Sequence, residues 1–128
     1  MGQSALGVLL RTLREERKLS LREVSQLSDV DHAYVHRLET GEKESPSEEM
    51  IGKLVRGLKA SKREADMLRY LAQHTETDPA LVPFTLQDPA VNFAEFTTLA
   101  GAVFRGTHDY GTVLKIIRRA KKEAAGPK

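Results

Sequence analysis

The chain has 128 residues, of which 40% are hydrophobic and 30% are charged, a composition typical of one globular domain or of one small domain with an appendage. It contains no cysteine, which excludes disulfides, thiolate metal sites and cysteine nucleophiles, and it shows neither a signal-peptide pattern nor an apolar run of membrane-spanning length, so we expect a cytoplasmic protein with no membrane partner. The net charge is only +2 and is unevenly spread, because residues 105–128 carry seven Lys/Arg against two acidic residues, whereas residues 1–104 sum to −3.

Three short helices are predicted in the first third of the chain. Leucines recur at helical spacing and predict a first helix over about residues 4–18. Ser20 and Glu23 have the spacing of a capping box, which predicts that the second helix begins at the next residue, Leu21. Asp31 is a good N-cap for a third helix, and Gly41 supplies the left-handed residue that ends it.

Two further helices follow before the composition changes. The segment 45–48 begins a fourth helix, whose interior contains Gly52 and Gly57 and therefore indicates close backbone packing. Ser61 and Glu64 form a second capping box, which predicts a fifth helix through about His74.

The chain after residue 76 reads differently. Residues 77–89 contain three prolines and predict a linker or an extended crossing. Apolar residues then recur every three or four positions, which predicts a sixth helix from about Phe93 that ends at Gly106 and a seventh from Tyr110. We therefore expect an all-α protein, with a five-helix domain in residues 1–76, a proline-containing linker in 77–89 and a small two-helix module in 90–124.

The second and third helices, with the tight turn between them, have the form of a helix-turn-helix, in which the second helix of the pair enters the major groove of DNA. The motif positions are Leu13-Arg14, Leu19-Ser20, Val24-Ser25, Val30, Val35, Leu38-Glu39, Gly41 and Pro46. With this spacing the chain resembles the Cro/cI-type (XRE family) helix-turn-helix repressors over residues 9–58, and more loosely to residue 75. The resemblance implies a sequence-specific repressor that binds a palindromic operator as a homodimer.

The resemblance also assigns roles to individual residues. It implies that His32, Ala33 and Arg37 read base edges, with Arg37 able to bind guanine in a bidentate manner. It implies a structural charge pair between Arg14 and Glu39. The residues expected to contact the DNA backbone are Ser20, Arg22, Tyr34 and Lys43, of which Ser20 lies at a helix N-terminus whose dipole favours a phosphate.

Three positions depart from the family pattern. Leu21 stands where the family usually has a phosphate-clamping Gln, Asp29 stands in the turn where Gly is usual, and the loop at 42–44 contains two glutamates instead of basic residues. Because acidic groups near phosphates repel them, we expect modest DNA affinity from a single domain.

The C-terminal module is too small to be stable alone and must pack on a partner surface. We predict a dimer interface formed by Phe93, Phe96, Leu99, Val103, Val113, Leu114 and Ile117. The alternative is that the module caps the core of its own chain. The basic run 115–122 has three interpretations: a solvated helix face, additional phosphate contacts, or a site for another acidic partner.

A second resemblance lies in the same region. The segment DPALVPFTLQDP, the apolar helix after it and Phe104-Arg105-Gly106 resemble the C-terminal part of DdrO-type and CapH-like repressors. This resemblance implies an IrrE/ImmA-type zinc protease as a partner, which would cut between Phe104 and Arg105 and inactivate the repressor.

Two other functions compete with a repressor: the antitoxin of a toxin–antitoxin pair with autorepression, and an interaction adaptor whose helix-turn-helix no longer binds DNA. No spacing of catalytic residues is evident, so we expect no enzyme activity and no cofactor. His32 and His36 stand four residues apart, but no third ligand lies nearby in the sequence, so we expect no metal site.

Overall fold

The structure is a computed structural model that describes residues 3–43, 45–102 and 109–124. Within these residues the chain forms eight α-helices and no strand, which confirms the all-α prediction. The helices are α1 (Ala5–Glu16), α2 (Leu21–Ser28), α3 (His32–Thr40), α4 (Glu48–Leu58), α5 (Lys62–Gln73), α6 (Leu81–Gln87), α7 (Phe93–Gly101) and α8 (Tyr110–Ala124).

The boundaries predicted from local capping at α2, α3 and α5 are confirmed by the structure. The Ser20 hydroxyl accepts the backbone N–H of Glu23, and the Glu23 carboxylate accepts the backbone N–H of Ser20, so the capping box at α2 is complete. A second complete box, between Ser61 and Glu64, begins α5. At the end of α3, Gly41 has φ 84°, a left-handed conformation that glycine adopts without a steric penalty.

The core forms around α1, which contacts α3, α5 and α6. Its leucines are almost completely buried. Two glycines allow neighbouring backbones to approach closely. A Cβ added at Gly7 would lie 2.6 Å from the carbonyl oxygens of Leu38 and Glu39, and one added at Gly57 would lie 2.6 Å from the Cβ of Ser28. The close packing predicted for Gly57 is confirmed, whereas Gly52 has only ordinary contacts.

The prediction of a linker over 77–89 is wrong, because most of that segment is the buried helix α6. Leu81 and Val82 are fully buried and belong to the same hydrophobic cluster as the leucines of α1. Pro83 lies in the first turn of α6, where backbone N–H groups have no intrahelical acceptor, so the proline removes no helical hydrogen bond. Arg63 of α5 donates to the carbonyl oxygens of Thr85, Asp88 and Val91 and fixes the end of α6.

The C-terminal helices pack on their own chain, and three of the predicted dimer-interface residues are buried in this packing. Phe96, Leu99 and Leu114 are between 0% and 5% exposed and join the common hydrophobic cluster, so in this arrangement they offer no surface to a second copy. Phe96 makes an edge contact with the ring of Tyr70 on α5, at 5.7 Å between ring centroids. Three predicted interface residues keep part of their surface, namely Phe93, Val113 and Ile117.

Polar contacts from Tyr110 and Arg118 hold α8 to the rest of the molecule. The Tyr110 hydroxyl donates to a carboxylate oxygen of Asp78 at 2.7 Å, and burial, followed by this bond, raises the pKa of Tyr110. Arg118 makes a bidentate ion pair with Glu95 at 2.8 and 3.0 Å. The guanidinium holds the pKa of Glu95 below its ordinary value. Helix α7 ends at Gly101 and not at the predicted Gly106, which lies outside the described residues, as do Val103, Phe104 and Arg105.

Candidate nucleic-acid interface

Helix α3 is held from one side and exposed on the other. Val35 and Leu38 are almost completely buried against the core, and α3 contacts α1 and α2. On the opposite side His32 and His36 are exposed, and Ala33, Tyr34 and Arg37 are half-buried. A short helix whose back is fixed and whose front is exposed has the geometry of the recognition helix of a helix-turn-helix.

The ion pair between Arg14 and Glu39 fixes α3 to α1. The two side chains form hydrogen bonds of 2.6 and 3.0 Å, and Arg14 also donates to the carbonyl oxygen of Leu19, just before α2, at 2.9 Å. Only 16% of the Arg14 side chain and 5% of the Glu39 side chain are exposed. The hydrogen bonds to Glu39 raise the pKa of Arg14, so its guanidinium stays charged. The predicted structural pair is therefore confirmed.

The turn between α2 and α3 explains why aspartate can replace the usual glycine. Asp29 adopts φ 60° and ψ 40°, the left-handed conformation that this position of the turn requires. Aspartate is one of the few residues besides glycine that adopts this conformation at modest cost. Val30 is buried directly after the turn, and the Asp31 carboxylate accepts the N–H of Tyr34 to begin α3. The departure at Asp29 therefore leaves the helix-turn-helix geometry intact.

Arg37 is the predicted base-reading residue with the most informative environment. Its Nε atom is enclosed, and it has no hydrogen-bond partner among residues 3–43, 45–102 and 109–124. A buried donor without an acceptor costs about 1–3 kcal/mol, and more when the group is charged. Because the Nε atom is enclosed, an external acceptor can reach it only after the Arg37 side chain moves.

The expected backbone contacts differ in how available they are. Arg22 and Lys43 are exposed, and Tyr34 is half-buried against the core. The backbone N–H of Ser20, which we expected to face a phosphate, instead donates to the Glu23 carboxylate at 2.8 Å. A phosphate that binds this N–H would have to displace the Glu23 carboxylate, so the Ser20 contact stays a prediction.

The part of the chain that contains the helix-turn-helix has no net charge. Residues 5–68 contain 12 Lys/Arg and 12 Asp/Glu. This charge balance is visible in the sequence. The structure adds that Glu23, Asp31 and Glu42 are all exposed around α2 and α3. This surface can therefore supply base contacts, but it offers little general attraction for phosphates.

Two structural residues of this site were not identified from the sequence. Gly7 brings α1 against the end of α3, and Arg17 donates to the carbonyl oxygens of Leu13 and Leu58 and pairs with Glu64 at 3.1 Å. A glycine inside the strongly amphipathic first helix was the only signal for the first contact. The sequence around Arg17 gave no indication of its contacts with Leu58 and Glu64.

His32 and His36 lie one turn apart on the exposed side of α3. Throughout the described segments, no group of three or more His, Cys, Asp or Glu side chains is placed to hold a metal ion. In the same residues no helix combines the length and the apolar character needed to cross a membrane.

Comparison with known proteins identifies the same unit. The family described as "Helix-turn-helix domain" matches residues 5–68, which is half of the chain. Among solved structures, the chain is similar to the clp gene regulator ClgR from C. glutamicum, with 33% sequence identity, 55% of this chain and 86% of that chain covered, and a TM-score of 0.44. No curated protein matches the chain.

Proposed function

The chain belongs to the helix-turn-helix domain family and is a DNA-binding regulator, and we propose that it is a transcriptional repressor that binds a palindromic operator as a homodimer. The observation that carries the proposal is the placement of α3. Its buried side is fixed by Val35 and Leu38, and its other side carries the exposed His32 and His36 with the half-buried Arg37 beside them. A repressor acts by occupying promoter DNA, which needs no further chemistry from the chain.

Base reading falls to three residues of α3 in this proposal. Arg37 donates to O6 and N7 of a guanine once its half-buried side chain extends into the major groove. His32 makes a single hydrogen bond to a base edge, and Ala33 contacts a thymine methyl group. Tyr34, Arg22 and Lys43 contact the sugar–phosphate backbone and fix the register.

A homodimer is part of the proposal because one helix-turn-helix contacts few base pairs. The interface we propose is an apolar edge of α8, formed by Val113, Ile116, Ile117 and Ala120. Ile116 is 62% exposed, although it is a large apolar side chain. These four residues lie at spacings of three and four and so share one side of the helix. Lys115, Arg119 and Lys122 lie outside this edge of the helix.

Control by proteolysis is the second part of the proposal. The Phe104–Arg105 bond lies between α7 and α8, outside the described residues. Support comes from the resemblance to DdrO-type repressors and from the position of α8, which is held by Tyr110 and Arg118 and carries the proposed dimer edge. Cleavage by an IrrE/ImmA-type zinc protease would break the covalent link between α7 and α8 and weaken the dimer.

Footprinting on the promoter of the chain's own gene tests the proposal. A dimer should protect two half-sites whose centres are about 10–10.5 base pairs, or one DNA turn, apart. One protected patch would contradict the dimer, and no protection at low salt would contradict DNA binding at this site.

The dimer edge has a separate test. The variant Ile116→Asp should sediment as a monomer and lose one half of the footprint, whereas the control Thr112→Asp, an exposed position on the same helix, should remain dimeric. An intact Ile116→Asp dimer would contradict the proposed edge.

A further inference from the structure

Helix α8 carries a concentration of positive charge that the dimer edge does not use. Residues 110–124 contain five Lys/Arg and one Glu, a net charge of +4, whereas the family-matched residues 5–68 sum to zero. A protein that binds duplex DNA needs cations near phosphates, because the release of counterions supplies most of the sequence-independent affinity. The described part of the molecule therefore keeps its strongest positive charge outside the helix-turn-helix.

The five cations of α8 divide into two groups. Arg118 is used structurally, since it pairs with Glu95, and Lys121 lies near enough to help lower the pKa of the same carboxyl. Lys115, Arg119 and Lys122 are exposed and follow at spacings of four and three, so they line one edge of the helix. We name these three residues the basic edge.

The basic edge is weakly compensated. No ion pair of 4.0 Å or less joins any of its residues to an acidic group in the described segments. The pKa of the exposed Asp109 carboxyl is lowered mainly by hydrogen bonds from Thr112 and to a smaller extent by Lys115, so one of the three charges is partly offset. Arg119 and Lys122 are therefore the cations most available to an external anion.

The surroundings of the basic edge favour phosphate over other acidic partners. Lysine is depleted in protein–protein interfaces, and the apolar residues of α8 lie on other sides of the helix, so the basic edge lacks the apolar centre of a protein-binding surface. The main apolar side of α8, with Tyr110 and Leu114, packs against the chain itself and is closed to a lipid bilayer. The edge spans about 10 Å from Lys115 to Lys122, at a rise of about 1.5 Å per residue, enough to reach adjacent phosphates of one strand.

We propose that the basic edge of α8 is a second DNA contact, which binds the phosphate backbone of duplex DNA without reading its sequence. This inference rests on the proposed DNA-binding function and adds to it the source of the general electrostatic affinity. In this arrangement α3 supplies the preference for particular bases, and α8 supplies the charge that the neutral helix-turn-helix lacks.

The salt dependence of binding tests the proposal on the full chain. Affinity for a fluorescent 30-base-pair duplex of arbitrary sequence is measured by anisotropy between about 50 and 200 mM salt. Each phosphate contact contributes about 0.9 to the slope of log affinity against log salt concentration, so the double variant Arg119→Gln/Lys122→Gln should have a slope smaller by about 1.8. Over this fourfold range of salt, the wild-type affinity should therefore fall about tenfold more than that of the variant.

Two matched variants isolate the cause. Arg119→Lys/Lys122→Arg keeps the charges and should keep the wild-type slope. Lys62→Gln/Arg69→Gln removes the same types of residue from exposed positions on α5 and should also keep it. Glutamine is a good helix former, and circular dichroism of each variant verifies that the helices are retained.

The outcomes separate this proposal from the proposed function. An unchanged slope in Arg119→Gln/Lys122→Gln overturns the second contact, even if the wild type prefers a particular operator. An equal loss of slope in the α5 variant also overturns it, because net charge alone would then be the cause. If Arg119→Gln/Lys122→Gln loses binding to a polyglutamate peptide but keeps the wild-type slope on DNA, the basic edge is a site for an acidic protein and the second DNA contact is overturned. A reduced slope without any sequence preference in the wild type supports the second contact and contradicts the repressor.

Discussion

The ion pair between Arg14 and Glu39 should contribute more to stability than any other described charge pair, and Glu39→Gln measures that contribution. The substitution keeps the shape of the side chain but removes the charge. The wild type has two charge-assisted hydrogen bonds here, worth about 1.5–3 kcal/mol each. The glutamine oxygen can keep one weaker bond from the charged guanidinium, worth about 1 kcal/mol. The free energy of unfolding should therefore fall by about 2–5 kcal/mol, as expected when one partner of a buried pair is removed.

Urea unfolding followed by circular dichroism measures this change, with Glu15→Gln as the control. Glu15 also pairs with an arginine on α1, but both side chains of that pair are more than half exposed. An exposed pair of this type contributes about 0.2–1 kcal/mol. A loss below 1 kcal/mol for Glu39→Gln, or an equal loss for Glu15→Gln, would refute the argument that burial makes the pair important.

A double-mutant cycle then separates the pair from its surroundings. Arg14→Gln and Glu39→Gln are combined, and the coupling energy is the part of the two losses that does not add. We expect a coupling of at least 1.5 kcal/mol, because the two side chains contact each other directly. A coupling near zero would mean that each residue acts through other contacts, such as the bond from Arg14 to Leu19.

Three other predictions test the packing of the fold. Phe96→Ala should lower the free energy of unfolding by about 3–5 kcal/mol in a single cooperative transition, because Phe96 is fully buried. The control Ile116→Ala should change it by less than about 1 kcal/mol. A separate early unfolding transition in Phe96→Ala would show that α7 is not part of the common core. Gly57→Ala should be destabilising by about 1–3 kcal/mol because the new Cβ overlaps α2, whereas Gly52→Ala should stabilise the chain by up to about 1 kcal/mol, and the reverse order would contradict the packing of α4. Glu95 has a pKa lowered in the folded state, so its contribution to stability is complete above the ordinary pKa near 4.5 and is lost as pH falls through the lower folded value. A Glu95→Gln variant should therefore lose less stability than the wild type below about pH 4.5, and parallel pH profiles would contradict this.

Sequence reasoning located the helices whose ends are fixed by local chemistry. The capping boxes at α2 and α5 and the left-handed residue Gly41 involve side chains only three or four positions away, so their pattern is visible along the chain. The pairing of Arg14 with Glu39 spans 25 residues, and only the family resemblance predicted it. The placement of α3 therefore followed from local capping together with a known family pattern.

Helix α6 was missed because tertiary contacts stabilise it and local propensity does not. It has seven residues, contains Pro83 and has no side-chain cap at its start. Its stability comes from the burial of Leu81 and Val82 and from the bonds that Arg63 makes to carbonyl oxygens after its last turn. None of these contacts leaves a periodic pattern in a segment this short.

A different limit of sequence patterns concerns the predicted dimer interface. Helical spacing correctly identified Phe96, Leu99 and Leu114 as residues that need to be buried. The spacing of apolar residues does not say whether the partner surface belongs to the same chain or to a second copy. Here the partner surface belongs to the same chain and includes α5 and α6. Helix α5 ends more than 20 residues before Phe96, and α6 was not predicted as a helix.

Selection of bound duplexes from a random pool, by the wild type and by Arg37→Ala in parallel, tests the central claim most directly. The wild type should enrich a sequence with two-fold symmetry, and Arg37→Ala should lose the preference at one base position in each half-site, at a cost of about 1–3 kcal/mol in specific binding. The control Arg56→Ala, an exposed arginine of α4, should enrich the wild-type sequence. No enriched sequence for the wild type at low salt, or the same preference at every position in Arg37→Ala, would contradict base reading by α3.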